Sequence, residues 1–330
     1  MHRDNSPWCC LTPSSRPPSK RRPSLQPRGC FTLKTVLWVL VTIMVCSPPV
    51  GLAESTDDPL EPAPFSREPG EPTDFSQEDG DGIIEPGETE QEELAKAAQN
   101  PVASMISLPF QNNTNFGVGP DDKVQNVLNI QPVVPFALTD DINLITRTIV
   151  PVVSQPGIRP GDDRTNGLGN ITFTAFLSPA NSGKLIWGVG PMAVFPTNTD
   201  DALGSDKWSL GPSAVFLTMP GNWVMGALVA NVWSYAGSDD QDVKFFFSQP
   251  FINYNLSQGW YLTSSPIITA NWEANSGQKW TVPVGGGFGK IFRIGPQPMN
   301  AQIQGFYHAE KPDPLGDWSM RVQLQFLFPK

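Results

Sequence analysis

The chain of 330 residues carries a net charge of −10 at pH 7, and 39% of its residues are hydrophobic. Its four cysteines all lie within the first 46 positions, and only one of its two histidines, His308, lies beyond position 2. These facts exclude a disulfide framework, a thiolate metal site and a multi-histidine metal site from the rest of the chain. We therefore expect neither a metal site nor a cofactor.

The N-terminus has the order of a secretory signal peptide. A basic stretch precedes the apolar run 36–45, and small residues at Gly51 and Ala53 fit the −3 and −1 positions of a cleavage site. Because a helix that spans a bilayer needs roughly twenty apolar residues, a retained anchor is the weaker interpretation. We predict that residues 1–53 are removed and that the mature chain begins near Glu54. Its 15 basic and 31 acidic residues give a net charge of −16, which argues against a nucleic-acid partner.

The segment 54–100 is acidic and poor in large apolar side chains, with 15 acidic and two basic residues. Such a segment cannot bury enough surface to offset its chain entropy, so we predict a disordered linker. Its last part, residues 88–98, is rich in good helix formers and has acids at its N-terminal end. This composition favours a short helix there.

After residue 100 the composition and the pattern of the sequence change. Segments of about ten to thirteen residues rich in Val, Ile, Phe, Trp and Thr alternate with clusters of Gly, Asp, Asn and Pro. Strands of this length are typical of membrane barrels, because ordinary strands average about five or six residues. We predict an all-β fold for residues 101–330, an antiparallel transmembrane β-barrel of about twelve strands. The predicted strands are 103–112, 126–138, 142–154, 169–178, 184–196, 207–219, 223–236, 243–256, 260–272, 279–292, 298–309 and 317–328.

Short and long connections alternate along this region, as the periplasmic turns and outer loops of such barrels do. The turns 139–141, 220–222 and 257–259 are tight, whereas residues 155–168 and 197–206 are longer and polar. With an even number of strands, both termini are expected on the periplasmic side.

The alternation of polar and apolar side chains predicts which face of each strand lines the lumen. The last strand alternates cleanly and ends on Phe328, which resembles the C-terminal assembly signal of bacterial outer-membrane barrels. An arginine facing lipid at mid-depth would cost roughly 2 to 4 kcal/mol, so we expect Arg147 to point inward. The predicted lumen-facing residues are Asn129, Gln131, Arg147, Thr263, Asn271, Arg321, Gln323 and Gln325. The predicted lipid-facing residues are Leu144, Leu262, Leu324 and Phe326.

Gly285-Gly-Gly-Phe-Gly289 is not interpreted as a phosphate loop. No Lys-Ser/Thr pair follows it, and no parallel strand and helix surround it. We interpret these glycines as close packing at a bend or bulge of a barrel strand.

The case for an enzyme depends on His308, the only histidine that remains after residue 53. A serine hydrolase of the outer-membrane phospholipase type would need it beside a serine and an Asn or acid on adjacent strands. No companion motif marks such a set, so we predict no enzyme activity and no catalytic residues.

Two further interpretations stay open: a structural barrel that links the outer membrane to periplasmic partners, and a secreted soluble β-sandwich.

Motifs spread over residues 101–330 are specific enough to indicate a family. They are ISLPFQNNTNFG at 106–117, NIQPVVP at 129–135, NLITRTIVPV at 143–152, WGVGP at 187–191, PTNTD at 196–200 and FLFPK at 326–330. Together they resemble a family of uncharacterised bacterial outer-membrane transporter-like proteins. Its members are often mislabelled neuromedin U and are loosely related to barrel proteins encoded with phenol-degradation pathways. The resemblance implies an outer-membrane barrel with a role in transport, and it brings no defined catalytic or ligand-binding residues.

These observations predict a passive channel or uptake barrel for small solutes in the bacterial outer membrane. About twelve strands enclose more interior than the eight-stranded barrels whose side chains fill them. The predicted lumen carries amides, hydroxyls and a few charges. The expected partners are outer-membrane lipids, the outer-membrane barrel assembly machinery and a small solute that the sequence does not identify.

Overall fold

The computed structural model describes residues 86–157, 159, 161–238 and 241–329. The predicted signal peptide and the acidic linker as far as residue 85 lie outside the described residues. Within the described part, no helix is both long and apolar enough to cross a membrane.

One α-helix, α1 (Pro86–Gln99), precedes the strands. The strands are β1 (Ile106–Val118), β2 (Lys123–Ile130), β3 (Val133–Ala137), β4 (Ile142–Gln155), β5 (Thr165–Leu168), β6 (Ile171–Pro179), β7 (Ile186–Phe195), β8 (Lys207–Thr218), β9 (Trp223–Gly237), β10 (Lys244–Asn255), β11 (Trp260–Ser264), β12 (Ile268–Asn271), β13 (Trp280–Ile294), β14 (Gln297–Glu310) and β15 (Trp318–Phe328). Single 3₁₀ turns lie at Asp201–Leu203 and Ser257–Gly259.

The described strands close into one antiparallel barrel of twelve, which confirms the predicted fold class. Each strand pairs with its neighbours in the sequence, and β1 pairs with β15 to close the ring. Three barrel strands are interrupted, so that β2 continues as β3, β5 as β6 and β11 as β12. Pro132 and Pro266 lie at two of these breaks, where the missing backbone N–H interrupts the ladder.

The first strand lies further along the chain than predicted. The prediction was 103–112, whereas β1 runs from Ile106 to Val118 and pairs with β15 from its first residue. Residues 100–105 do not join the sheet because Val102 and Met105 are buried in the barrel interior instead.

The two ends of the barrel differ in their connections. We call the end at which β1 begins and β15 ends the terminal end, and the opposite one the loop end. Connections at the terminal end are short, such as 138–141 and 295–296, whereas those at the loop end include 156–164 and 196–206. The alternation of short and long connections is the one predicted for such barrels.

The glycine-rich part of β13 lies where the barrel wall packs closely against a tyrosine. A Cβ atom at Gly289 would lie 2.2 Å from Cζ of Tyr261. The buried Tyr261 hydroxyl donates a hydrogen bond to Oδ1 of Asn300 at 2.6 Å. Gly289 therefore permits close packing, as predicted, whereas the register shift of β13 against β14 lies before the glycines, between Val282 and Pro283.

The folded part of the chain begins before the predicted boundary at residue 101. α1 overlaps the predicted helix at 88–98 and packs at the terminal end of the barrel, where Leu94 is buried with Tyr261 and Leu327. Nε2 of Gln99 donates to Oδ1 of Asn255 at 2.8 Å.

Residues 100–105, which we call the inner segment, continue from α1 into the barrel. Val102 is buried in a cluster with Phe176 and Val215. Nδ2 of Asn143 donates to Oγ of Ser104 at 3.1 Å, which ties the segment to β4. The inner segment thus occupies space that an empty barrel would leave to water.

Candidate functional site

The barrel interior has two unlike sectors. Residues directly opposite each other on antiparallel neighbours share a face, so the strand register assigns each inward side chain. One sector, called the amide sector, lies on β1, β2, β4, β11, β14 and β15 together with the residues that follow β2 and β11. Its inward residues are Gln111, Asn113, Asn129, Gln131, Arg147, Thr263, Ser265, Asn300, Gln302, Gln304, Arg321, Gln323 and Gln325.

The other sector, called the apolar sector, begins on β4 and continues over β6, β8, β9 and β10. Its inward apolar residues are Ile145, Phe176, Val215, Leu217, Val224, Leu228, Phe247 and Phe251, and a few buried polar side chains such as Thr174, Ser213 and Asn253 lie among them. The inner segment lies against it through Val102. The apolar sector therefore forms a packed wall, in contrast to the hydrogen-bonded amide sector.

Arg321, in the amide sector, is buried and held on several sides. Its Nε donates to Oδ1 of Asn113 at 3.0 Å, and its Nη1 donates to the Ser265 carbonyl at 2.7 Å. The guanidinium carbon lies 5.0 Å from the centre of the Phe306 ring. These contacts fix Arg321 in the wall, where its charge remains but most of its donors are engaged.

Arg147 is held by fewer contacts. Its Nη2 donates to Oε1 of Gln131 at 2.6 Å, the one side-chain hydrogen bond that this guanidinium makes among the described residues. No described carboxylate forms a salt bridge with Arg147 or Arg321. The lumen therefore carries positive charge that no described acid neutralises locally.

A cavity of about 150 Å³ lies between the two sectors and the inner segment. Its lining includes Gln131, Arg147, Leu228, Gln249, Phe251, Thr263, Gln323, Gln325 and Met105. No described lining residue is a carboxylate. One wall of the cavity can thus form hydrogen bonds to a solute, while the opposite wall adds the carbon surface of Leu228 and Phe251 beside the Gln249 amide.

All eight residues predicted to face the lumen lie on the inward face, and some of them line the cavity. Those in its lining are Gln131, Arg147, Thr263, Gln323 and Gln325. Asn129 lies inward opposite Gln111, beyond the lining. Arg321 is bound to the wall through Asn113 and Ser265, and Asn271 lies opposite Phe245 near the loop end. Whether any of these residues contacts a solute stays a prediction.

The sequence prediction missed the apolar half of the lumen and the inner segment. Val102 and Met105 precede the first strand, and no periodicity indicated that they are buried inside the barrel. On β10 both faces carry phenylalanine, so alternation could not show that Phe247 and Phe251 point inward. Only the strand register reveals these residues.

The outward face carries exposed apolar side chains with tryptophans at both ends. Trp187, Trp223 and Trp260 lie at the terminal end, and Trp208, Trp233, Trp272 and Trp318 lie at the loop end. Leu144, Leu262, Leu324 and Phe326 lie on this outward face by register. Two belts of tryptophan side chains, one at each end of an apolar band, are the arrangement expected of a membrane barrel.

His308 has the serine neighbour that the sequence could not identify. Oγ of Ser319, on the adjacent strand, lies 3.1 Å from its Nε2, and the Gly316 carbonyl lies 2.6 Å from its Nδ1. The third partner is thus a backbone carbonyl rather than the Asn or acid of the phospholipase arrangement. The same carbonyl contact ties the loop 311–317 to β14.

Comparison with known proteins identifies the fold. The sequence matches no protein-family model and no curated protein. An outer-membrane channel from Pseudomonas putida F1 is 18% identical with a TM-score of 0.53, over 68% of this chain and 94% of that chain. The NanC porin is 7% identical (TM-score 0.45; 68% and 100% covered), and the outer membrane phospholipase A from Escherichia coli is 13% identical (TM-score 0.36; 68% and 96% covered). The chain therefore has the fold of outer-membrane β-barrels.

Proposed function

We propose that this protein is a passive channel for small solutes in the bacterial outer membrane. The observation that carries the proposal is the amide sector: a continuous inward wall of amides, hydroxyls and two arginines inside a barrel whose outward face is apolar. A barrel that served only as an anchor could fill its interior with packed apolar side chains throughout. A polar wall instead keeps hydrogen-bonding groups available to water and solutes.

The inner segment and α1 limit the passage at the terminal end, which this proposal places on the periplasmic side. Val102 is seated in the apolar sector, and Leu94 in the cluster around Tyr261. We expect a small conductance that increases when the inner segment leaves its seat. Permeation along the amide sector would then pass Arg147 and Gln323.

The proposed family follows from motifs on the strands that build this wall. The motifs at 106–117, 143–152 and 326–330 lie on β1, β4 and β15, which all contribute to the amide sector. We infer that the chain belongs with the outer-membrane transporter-like proteins that these motifs resemble. On this basis its partners are outer-membrane lipids and the barrel assembly machinery.

Purified, heat-modifiable protein in planar bilayers tests the proposal, together with solute flux into liposomes. We expect stepwise conductance and entry of small solutes but not of large sugars. Empty bilayers and heat-unfolded protein are the controls. Correctly folded protein that gives neither conductance nor flux would contradict the channel and favour the structural barrel.

The contact between Ser319 and His308 favours a second candidate function, a serine hydrolase. If Nδ1 of His308 donates to the Gly316 carbonyl, Nε2 is free to accept the Ser319 hydroxyl proton. A fluorophosphonate probe distinguishes the two functions, because an activated serine reacts with it covalently. We expect no labelling, and labelling that disappears in Ser319→Ala would support the hydrolase instead.

A further inference from the structure

We infer that the cavity beside Arg147 binds a small organic monocarboxylate, with the carboxylate at the guanidinium and the carbon body against Leu228 and Phe251. The inference deepens the proposed channel function, because it names the class of solute that the lumen would select. Three features of the cavity support it: one available cation, one apolar wall and a limited volume.

The charge comes from Arg147. Its single side-chain partner, Gln131, engages one of the donors of a guanidinium group that has five, and the Arg147 side chain lines the cavity. Arginine binds carboxylates through two parallel N–H···O bonds, which makes it the preferred residue for this group. Gln131 is itself buried, and its backbone N–H donates to the Pro109 carbonyl at 2.9 Å, so the arginine has a fixed support.

The other charges around the cavity limit the ligand to one negative charge. Arg321 engages its Nε and Nη1 with Asn113 and Ser265, lies over Phe306 and is not among the residues that line the cavity, so it adds positive potential without offering a second binding group there. No described lining residue is acidic, and a cationic ligand would therefore meet repulsion with no compensating partner. A dicarboxylate would bring a second charge that has no second available arginine.

The apolar wall selects for a carbon body. Leu228 and Phe251 line the cavity on this side, the amides of Gln249 and Asn253 lie beside them, and Met105 lines the same cavity. A carbon surface placed there is removed from water, which contributes roughly 25 cal/mol for each Å² that is buried. Acetate has almost no such surface, so the structure predicts that it binds more weakly than a larger monocarboxylate.

The volume sets the size of that body. A dry cavity of roughly 150 Å³ accepts benzene in another protein, and the cavity here has about the same volume, 150 Å³. A single ring or a short chain with one carboxylate fits this space. Benzoate is therefore a suitable probe, with benzamide as its neutral counterpart of the same shape.

Isothermal titration calorimetry on the folded full chain in detergent micelles tests the inference. We expect benzoate to bind more tightly than both benzamide and acetate, after subtraction of binding to empty micelles. Arg147→Gln should weaken benzoate by about 10- to 100-fold, since a hydrogen bond to a charged group is lost, and should leave benzamide almost unchanged. Arg147→Lys, which keeps the charge, should retain part of the preference for benzoate.

Arg164→Gln is the matched control, because Arg164 lies at the loop end, where its Nη1 bonds to Oγ of Ser154 at 2.9 Å. Heat-modifiable migration reports whether each variant folds, and the comparison of the three ligands on the unaltered chain needs no variant. Equal affinity for benzoate and benzamide, or benzoate binding that survives Arg147→Gln, would overturn the inference. Conductance measured on the same preparation separates the two proposals: a conducting barrel that does not bind benzoate leaves the channel intact and removes only the ligand class.

Discussion

The amide sector and the apolar sector are built on strands of the same period but are held together in different ways. In the apolar sector, Phe176 and Val215 pack against each other and against Val102 of the inner segment. In the amide sector, Oε1 of Gln304 accepts hydrogen bonds from the backbone N–H and the hydroxyl of Ser265. The closely packed side chains of the apolar sector exclude water. The hydrogen-bonding groups of the amide sector can instead exchange their partners for a solute. The apolar sector therefore seats Val102 of the inner segment, while Met105 packs with Tyr261 and Leu327 on the other side, where the amide sector carries the groups that a solute could bind.

The largest effect is expected from emptying the apolar sector. Phe176→Ala should lower the free energy of unfolding by about 3–5 kcal/mol, because it removes a fully buried ring and leaves a cavity. Phe216→Ala is the matched control, since Phe216 lies outward and is 47% exposed. Urea unfolding from lipid vesicles measures both. Equal losses of free energy of unfolding for the two variants would show that the inward-facing ring stabilises the barrel no more than the outward-facing one.

A charge placed in the same sector should release the inner segment. Val102→Asp would bury a carboxylate against Phe176 without a partner, which is costly enough to move the segment out. We expect the single-channel conductance to increase several-fold. Val102→Ala is the control, because it changes the same position, keeps it apolar and places no charge against Phe176. If the two variants conduct alike, the seat of Val102 does not limit the passage.

A smaller effect is expected in the amide sector. Gln304→Leu should destabilise the barrel by about 1–3 kcal/mol, because it leaves the buried Ser265 N–H without its acceptor. Gln323→Leu should cost less, since Gln323 makes no side-chain hydrogen bond among the described residues and lines the cavity. The same urea titration compares them. A larger loss for Gln323→Leu would mean that this wall is also held by packing.

The smallest change is expected on the outward face. Nε1 of Trp272 donates to Oδ1 of Asn231 at 2.8 Å, and Trp272→Phe removes this bond while keeping an aromatic ring. We expect a loss of about 0.5–1.5 kcal/mol. Trp280→Phe is the control, because its Nε1 has no hydrogen-bond partner among the described residues. Losses of the same size for Trp272→Phe and Trp280→Phe would show that stability depends on the indole rings themselves and not on the hydrogen bond to Asn231.

The barrel could be predicted because the length of the strands and the alternation of short and long connections are local properties of the sequence. The faces of β15 were equally predictable, since Val322, Leu324 and Phe326 alternate strictly with Arg321, Gln323 and Gln325. The apolar sector could not be predicted in this way. Strands such as β7 and β8 carry apolar or small residues on both faces, so no periodicity distinguishes inward from outward.

Features that depend on pairing between distant residues were also beyond the sequence. Ser319 lies beside His308 only because the register of β14 with β15 brings them together. The inner segment is a similar case, since Val102 follows an acidic stretch whose composition indicates exposure. Its burial depends on a pocket between Phe176, Gly188 and Val215 that exists only after the barrel closes.

The reversal potential in a KCl gradient tests most directly whether solutes pass along the amide sector beside Arg147. The unaltered barrel should prefer anions, because the described lining holds an arginine and no acid. Arg147→Glu should shift the reversal potential towards cations, and Arg164→Glu, outside the cavity, should leave it where it is. A conducting Arg147→Glu barrel with the reversal potential of the unaltered protein would contradict the account.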